Sequence, residues 1–233
     1  PLSLLEGPIS QLDANNVLSS HDKRLIDVMR TSIKRMHRLV NQIIDYNKLD
    51  SGALDLHATR DFELTAFVRQ FIEMNKVTAT CNNVTILSEG LDEEVRIPVD
   101  EEKLESILIN LISNAFKFVR QNEGQIRFRI SKTSASSIVT HLESPDIKPD
   151  SPYVTIDIEN NGLPIDGNEL EHVFDRYYQV RKHGDNSKRV GSGIGLSFAR
   201  TLAQLHHGCL WAENLPDGEG VRFSLALPGD TGA

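Results

Sequence analysis

The sequence predicts an α+β protein in which a helical hairpin precedes an α/β sandwich, one sheet covered by helices. Residues 1–50 carry apolar side chains at helical spacing and no strand pattern. Ser51-Gly52 then breaks the helical pattern, and shorter strand-like segments mix with helix-like ones beyond it. Strands and helices do not alternate strictly there, which favours a sheet with helices packed on it over a repeated β-α-β arrangement.

Residues 1–50 are predicted to form the two helices of the hairpin. Apolar residues between Leu2 and Leu12 mark the first helix, with Pro8 as an expected kink. The second runs from about Asp22 to Lys48 and carries a broad, largely apolar stripe: Leu25, Ile26, Met29, Ile33, Met36, Leu39, Val40, Ile43, Ile44 and Tyr46. A stripe this wide suits a dimeric four-helix bundle, and a hairpin packed within one chain is the alternative.

The second predicted domain covers residues 53–230. Its strands are expected near 53–57, 84–88, 94–98, 125–131, 153–159, 209–213 and 221–227, and its helices near 62–78, 100–119, 167–178 and 194–207. Residues 132–151 are predicted to be a surface excursion. The polar loop 179–192, which lies beside glycines, is a candidate active-site lid.

Bulk composition restricts the classes of function. The net charge of −8 argues against a general nucleic-acid binder, which would need a basic face. Cys81 and Cys209 have neither a disulfide framework nor metal-ligand spacing, so a reducing, cytoplasmic compartment is expected. No apolar run is long enough to span a bilayer, which still leaves open a membrane-bound parent protein.

A glycine-rich segment is the sharpest local signal. In Gly191-Ser192-Gly193-Ile194-Gly195-Leu196, three glycines at alternate positions precede a helical pattern. Backbone amides at a helix start can cradle phosphate when no side chains block the approach. The alternative is a flexible hinge without a ligand, since such a motif alone is weak evidence.

Two further segments carry polar groups suited to a nucleotide. Asn110 and Asn114 share one helix face with Lys117, so they could hold a hard cation and the phosphates that it bridges. In Asp157–Ile165, a predicted strand ends in a polar turn where Asn160 could meet the edge of a ligand. Solvated surface asparagines and an ordinary strand-to-helix turn are the alternatives.

In this order the three segments resemble the histidine protein kinases of the GHKL ATP-binding superfamily, with some likeness to hybrid two-component sensors. Residues 110–118 are similar to the N box of that family, 174–178 to the F box that opens its ATP lid, 191–196 to its second glycine box, and 218–228 to its closing strand. Residues 1–50 are similar to its dimerisation and histidine-phosphotransfer hairpin.

The resemblance implies binding of ATP and Mg²⁺. It makes Asn114 the Mg²⁺ ligand, Asn110 and Lys117 the catalytic residues, and Asn160 the contact to adenine. The implied nucleotide-binding residues are Asn110, Asn114, Lys117, Phe118, Asn160, Gly162, Ile165, Arg176, Gly191, Ser192, Gly193, Ile194, Gly195 and Leu196.

The implied reaction transfers the γ-phosphate of ATP to a histidine and then to an aspartate of a response-regulator receiver domain. Asn110 favours a kinase over an ATPase, because related ATPases carry a water-activating glutamate there and an amide cannot take that proton. The implied partners are a second copy of the chain and the receiver domain, with no nucleic acid. The implied location is the cytoplasm, including the cytoplasmic portion of a membrane sensor.

Departures from the family pattern leave alternatives open. Pro1-Leu2 resembles the end of the H box, so the phosphoacceptor histidine is expected upstream and this chain is expected not to phosphorylate itself. Asn160, Pro164 and Val221 replace an aspartate, a glycine and a hydroxyl residue. They predict weaker ATP binding, a degenerate domain that signals or scaffolds through dimerisation, or a changed base preference.

Overall fold

The computed structural model describes residues 56–142, 147–179, 193–216 and 218–229, together with seven residues of the N-terminal region: Asp22, Ile26, Met29, Ile33, Met36, Val40 and Ile44. The chain divides into two compact units, Pro1–Asp55 and Leu56–Ala233. All seven N-terminal residues are helical, in agreement with the second predicted helix. The first predicted helix and the turn after it lie outside the described residues.

The C-terminal unit contains seven strands and three α-helices among the described residues. The strands are β1 Thr59–Glu63, β2 Val84–Glu89, β3 Arg96–Val99, β4 Gly124–Ser134, β5 Pro152–Asn160, β6 Cys209–Asn214 and β7 Val221–Pro228, and the helices are α1 Leu64–Cys81, α2 Glu101–Phe118 and α3 Gly195–Leu205. β1 pairs with β3, and the other strands form a mixed sheet in the order β2-β4-β5-β7-β6. Only β2 and β4 run parallel in the larger sheet.

The core lies between one face of the larger sheet and the three helices. On the central strands, apolar side chains that alternate along the chain point into this core, and Phe128 of β4 and Ile156 and Ile158 of β5 are fully buried. The helices contribute Leu108 of α2 and Leu202 of α3, which are also fully buried. This sandwich agrees with the predicted α+β class and leaves the N-terminal part of α3 beside α2.

The helix starts differ in how they are capped. The Asp100 side chain accepts a hydrogen bond from the backbone N–H of Lys103 and so caps α2. Glu63 caps α1 through the backbone N–H of Ala66. α3 begins after Ile194, whose side chain, unlike those of Asp100 and Glu63, makes no capping hydrogen bond.

One predicted element is wrong, and another is tested only at its end. Of the strand predicted near 53–57, residues 53–55 lie outside the described residues, and Leu56 and His57 are not in a strand. The first described strand is β1. β1 is a mostly exposed, polar strand of a two-stranded sheet, so it lacks the apolar alternation that identifies buried strands. The helix predicted at 167–178 is replaced by two short 3₁₀ helices, Gly167–Glu169 and His172–Phe174. Val173 and Phe174 are both buried, and the local hydrogen bonds there span three residues instead of four.

The stretch predicted to be a surface excursion, residues 132–151, packs in part against the sheet. β4 extends to Ser134, and a 3₁₀ helix follows at Ala135–His141. Ala135 and Ile138 form a buried cluster with Tyr153, Cys209 and Ala226. Part of this stretch therefore covers one end of the outer sheet face, the face that the three helices leave open.

Candidate functional site

Helix α2 carries the amide residues that the sequence singled out. Asn110 is buried, and its Nδ2 donates to the backbone oxygen of Ser106 at 2.9 Å. Asn114, one turn later, is half-buried, while Lys117 is exposed. The Lys117 ammonium lies 4.4 Å from the centroid of the Phe118 ring. The amide face thus continues to a positive charge at the end of the helix.

The start of α3 lies directly against this face. A Cβ added to Gly195 would come within 2.9 Å of Asn110 Oδ1, so a side chain there would displace the Asn110 amide. Ile194 and Leu196, on either side of Gly195, are half-buried. Two segments separated by more than eighty residues in sequence thereby form one site.

The residues on either side of the predicted lid meet each other. The Tyr177 backbone N–H donates to the Gly193 oxygen at 2.9 Å. Both residues have positive φ, +65° at Tyr177 and +70° at Gly193. A Cβ on Gly193 would lie 2.7 Å from the Cα of Tyr177, so a side chain does not fit there. Arg176 is exposed beside this contact. Gly191 and Ser192 lie outside the described residues.

The end of β5 supplies a buried amide to the same side of the sheet. Asn160 is 2% exposed, and its Nδ2 has no hydrogen-bond partner among the described residues. A Cβ on Gly162 would approach the Phe118 backbone oxygen to 2.1 Å and Asn160 Nδ2 to 2.9 Å. The turn after β5 therefore packs on the end of α2, and a buried donor is left for a ligand to satisfy.

Sequence reasoning missed the residue that holds the turn after β5. Asn214, at the end of β6, accepts from the Ile165 backbone N–H at 2.9 Å and donates to the Ile165 oxygen at 2.7 Å. This side chain fixes the backbone of Ile165, a predicted nucleotide contact. An asparagine at the end of a strand is common, so the sequence offered no distinctive signal.

A second missed contact joins the two helices at their other ends. The Asp100 backbone N–H donates to Nε2 of the buried His206 at 3.1 Å, and His206 Nδ1 lies 2.7 Å from the Leu202 oxygen. Burial lowers the pKa of His206 below its ordinary value. Burial also raises the pKa of Asp100, but hydrogen bonds from the backbone amides of His57 and Lys103 outweigh it and leave that pKa below normal.

A polar cavity of about 550 Å³ opens elsewhere in the unit. It is lined by Arg127 and Glu159, which alternate along β4 and β5 with the core residues Phe128 and Ile158 and so lie on the outer sheet face. This cavity is therefore separate from the site between α2 and α3. Within the described ranges, no cluster of three or more His, Cys, Asp or Glu residues could hold a metal ion, and no helix is long and apolar enough to cross a membrane.

Known proteins resemble this chain in sequence. Residues 99–231 match the family described as histidine kinase-, DNA gyrase B-, and HSP90-like ATPase. The sensor histidine kinase WalK of Bacillus subtilis is 28% identical over 206 residues, which cover 88% of this chain and 30% of that protein.

Two solved structures share the fold. Full-length ShkA in complex with AMPPNP has a TM-score of 0.73 at 20% identity, over 100% of this chain and 44% of that one. The histidine kinase ThkA in complex with the response regulator protein TrrA has a TM-score of 0.62 at 21% identity, over 99% and 58%. The chain spans less than a third of the length of the first curated relatives that it matches.

Proposed function

Because the chain belongs to the family of histidine kinase-, DNA gyrase B-, and HSP90-like ATPases, we propose that it is the ATP-binding catalytic region of a protein histidine kinase. Residues 53–230 form the catalytic domain, and residues 1–50 form the dimerisation and histidine-phosphotransfer hairpin. The observation that carries the proposal is the contact between Asn110 on α2 and Gly195 at the start of α3.

This contact supports a phosphate site. The first amides of α3 have no side-chain cap, and Gly193 and Gly195 offer no side chain that would keep a phosphate away from the backbone. Lys117 adds a positive charge at the end of α2, and Arg176 adds another near Gly193. Phosphoryl transfer depends mainly on such positioning and charge neutralisation.

The amide face of α2 fits a magnesium ion that is shared with phosphates. Mg²⁺ prefers oxygen ligands and usually keeps several waters, so one or two protein groups are enough to hold it. Asn114 is half-buried and would offer its amide oxygen, with Asn110 one turn away on the same face. When bound, the ion would neutralise charge on the phosphates. Asn114 would hold it, and Lys117 would contact a phosphate.

The base of the nucleotide is assigned to the end of β5. The unsatisfied Nδ2 of Asn160 provides a buried polar atom for a base edge. Gly162 keeps the turn close to Phe118, and Asn214 holds the Ile165 backbone. These three contacts would form the floor and one wall of a base pocket.

Transfer to a protein histidine is favoured over hydrolysis of ATP. The Asn110 amide already donates to a backbone oxygen, and an amide cannot take a proton from an attacking water. The sequence relatives include proteins named as histidine kinases.

The proposed partners follow from the N-terminal helix and from one solved relative. Met29, Met36, Val40 and Ile44 are exposed apolar residues on that helix, which fits pairing with a second copy of the chain. ThkA was solved with a response regulator, and we extend that class of partner to this chain. The proposed location is the cytoplasm or the cytoplasmic portion of a membrane sensor.

A degenerate domain is the second candidate. Asn160 provides no charge at the base position, and Val221 pairs with it on β7 and provides no hydroxyl. Such a domain would bind nucleotide weakly and would signal through dimerisation. The intact amide face of α2 and the glycines at the start of α3 favour the active kinase.

Calorimetric titration with ATP, with and without Mg²⁺, tests the proposal. Wild type should bind ATP more tightly with Mg²⁺, and Asn114→Ala should lose about ten-fold in affinity and most of the Mg²⁺ dependence. Ser113→Ala is the matched control, because Ser113 is exposed on the same helix. The kinase proposal fails if wild type does not bind ATP or if both variants behave alike.

A further inference from the structure

We propose that Asp100 and His206 form a positioning joint that sets how α2 and α3 lie against each other at the nucleotide site. This inference rests on the proposed function of that site. Asp100 precedes α2, which carries Asn110, and His206 ends α3, which begins at Gly195. A shift at the joint would therefore be transmitted along both helices to the contact between Asn110 and Gly195.

The geometry of the joint fixes the form of the imidazole. A backbone N–H can only donate, so His206 Nε2 must accept from Asp100 at 3.1 Å. A carbonyl oxygen can only accept, so Nδ1 must carry the proton toward Leu202 at 2.7 Å. The joint thus requires a neutral ring with its proton on Nδ1. Its contact spans 106 positions in sequence, so nothing local enforces it.

Asp100 connects the joint to the chain entering the catalytic unit. Its carboxylate accepts from the backbone N–H of His57 at 3.0 Å and from that of Lys103 at 3.2 Å. His57 is the second residue of the C-terminal unit. One aspartate therefore holds the entry segment, the start of α2 and the end of α3.

Protonation of His206 breaks the joint. A proton on Nε2 would face the Asp100 N–H, so two donors would oppose each other. Burial lowers the pKa of His206 and keeps the ring neutral near neutral pH, against the opposing effect of the Asp100 carboxylate. Lys103 and His207 are the other charged or titratable groups that act on the ring, and both disfavour its protonation. Acidification should therefore weaken nucleotide binding through the joint.

The test compares variants that keep or remove the acceptor at this position. His206→Gln can place an amide oxygen toward the Asp100 N–H but does not titrate, whereas His206→Phe removes the acceptor. His207→Asn is the matched control, because it removes the neighbouring, exposed imidazole and asparagine tolerates the positive φ of that position. Affinity for ATP with Mg²⁺ is measured by calorimetry at about pH 8 and in steps down to about pH 5, because burial holds the pKa of His206 below its ordinary value.

We expect the lower pH to weaken binding by wild type and by His207→Asn about five-fold more than binding by His206→Gln. The phosphates of ATP also titrate, so the pH effect is taken as the difference between variants. His206→Phe should be about five-fold weaker than wild type at about pH 8. Circular dichroism at the assay temperature checks folding. If His206→Phe does not fold, the test rests on the difference in pH dependence of ATP affinity between wild type and His206→Gln.

If His206 only filled space in the core, His206→Gln would not both keep the ATP affinity of wild type and lose its pH dependence. The joint is overturned if wild type and His206→Gln share the same pH dependence. Absence of ATP binding by wild type at every pH measured instead overturns the proposed function, and this inference falls with it.

Discussion

At Gly162 and Gly195, neighbouring atoms occupy the space that a side chain would need. The obstacle at Gly162 is the Phe118 backbone oxygen, 2.1 Å from an added Cβ, and backbone cannot move aside cheaply. The obstacle at Gly195 is the Asn110 side chain at 2.9 Å, which can turn. Substitution by alanine should therefore reduce stability at Gly162 and ligand binding at Gly195.

We predict that Gly162→Ala lowers the free energy of unfolding by about 2–3 kcal/mol. Gly195→Ala should weaken ATP binding about ten-fold with a smaller loss of stability, because the displaced group is Asn110. Gly167→Ala is the control, since no atom lies within 4 Å of its added Cβ. Denaturant unfolding and calorimetry measure the two effects. Equal behaviour of all three variants would contradict the assignment.

Asn160 gives a prediction about the base pocket. Asn160→Asp would replace an amide with a charged acceptor, which makes a stronger hydrogen bond to an amino group. We expect about ten-fold tighter ATP binding and a less stable ligand-free protein, because a carboxylate at a position only 2% exposed is costly without a partner.

Titration with ATP, ADP and GTP, together with thermal unfolding, measures these effects. Stronger GTP than ATP binding by wild type would instead support a changed base preference, because the Asn160 amide could donate to a guanine carbonyl. Tight ATP binding by wild type would exclude the degenerate domain.

At the scale of elements, the N-terminal helix differs from the helices of the C-terminal unit in the row of apolar side chains that it leaves exposed. Ile26 and Ile33 are buried together, but Met29, Met36 and Val40 remain exposed. Apolar residues repeated along one helix are expected to find a partner. The described residues of the single chain do not cover them, so a second copy is the simplest partner.

We predict that Met36→Lys combined with Val40→Lys converts a dimer into a monomer. Two charges in an apolar seam would each lose solvation without gaining a partner. Val139→Lys is the control, because Val139 is an exposed apolar residue of the C-terminal unit. Light scattering coupled to size-exclusion chromatography gives the mass. A wild-type monomer, or a dimer that survives both lysines, would contradict pairing through this helix.

At the scale of the C-terminal unit, the two faces of the sheet have separate roles. The helix-covered face ends in the candidate site, and the outer face carries an ion network. Glu159 lies at the centre of that network, with Arg222 at 2.7 Å, Arg127 at 3.3 Å and Arg129 at 3.7 Å from its carboxylate. Its side chain is 6% exposed, so these ion pairs are poorly screened by solvent.

We predict that Glu159→Gln lowers the free energy of unfolding by about 1–2 kcal/mol, because the partly exposed Arg222, Arg127 and Arg129 lose the buried carboxylate that they share. ATP affinity should change little, since the network lies on the face opposite the site. Glu89→Gln is the control, because Glu89 forms ion pairs with Arg127 and Arg129 on the same sheet face but is 48% exposed. Its loss should lower the free energy of unfolding by less than about 1 kcal/mol. A large loss of ATP affinity in Glu159→Gln would show that the two faces are coupled.

The sequence by itself determined the local chemistry of this protein. Apolar periodicity located α2 and most of the strands, because side-chain spacing follows directly from helix and strand geometry. It also placed Asn110 and Asn114 on one helix face and the three glycines before a helix. Periodicity failed where burial is partial, at the exposed strand β1, and where adjacent residues are both buried, at Val173 and Phe174.

The tertiary structure decided which of these segments meet. Gly195 reaches Asn110, Gly162 reaches Phe118, and His206 reaches Asp100, although each pair is far apart in sequence. These contacts depend on strand order and on how the helices cross the sheet, which no local pattern encodes. Residue types thus specify which groups could bind a nucleotide, and only the packing of α2 and α3 on one sheet face brings those groups together.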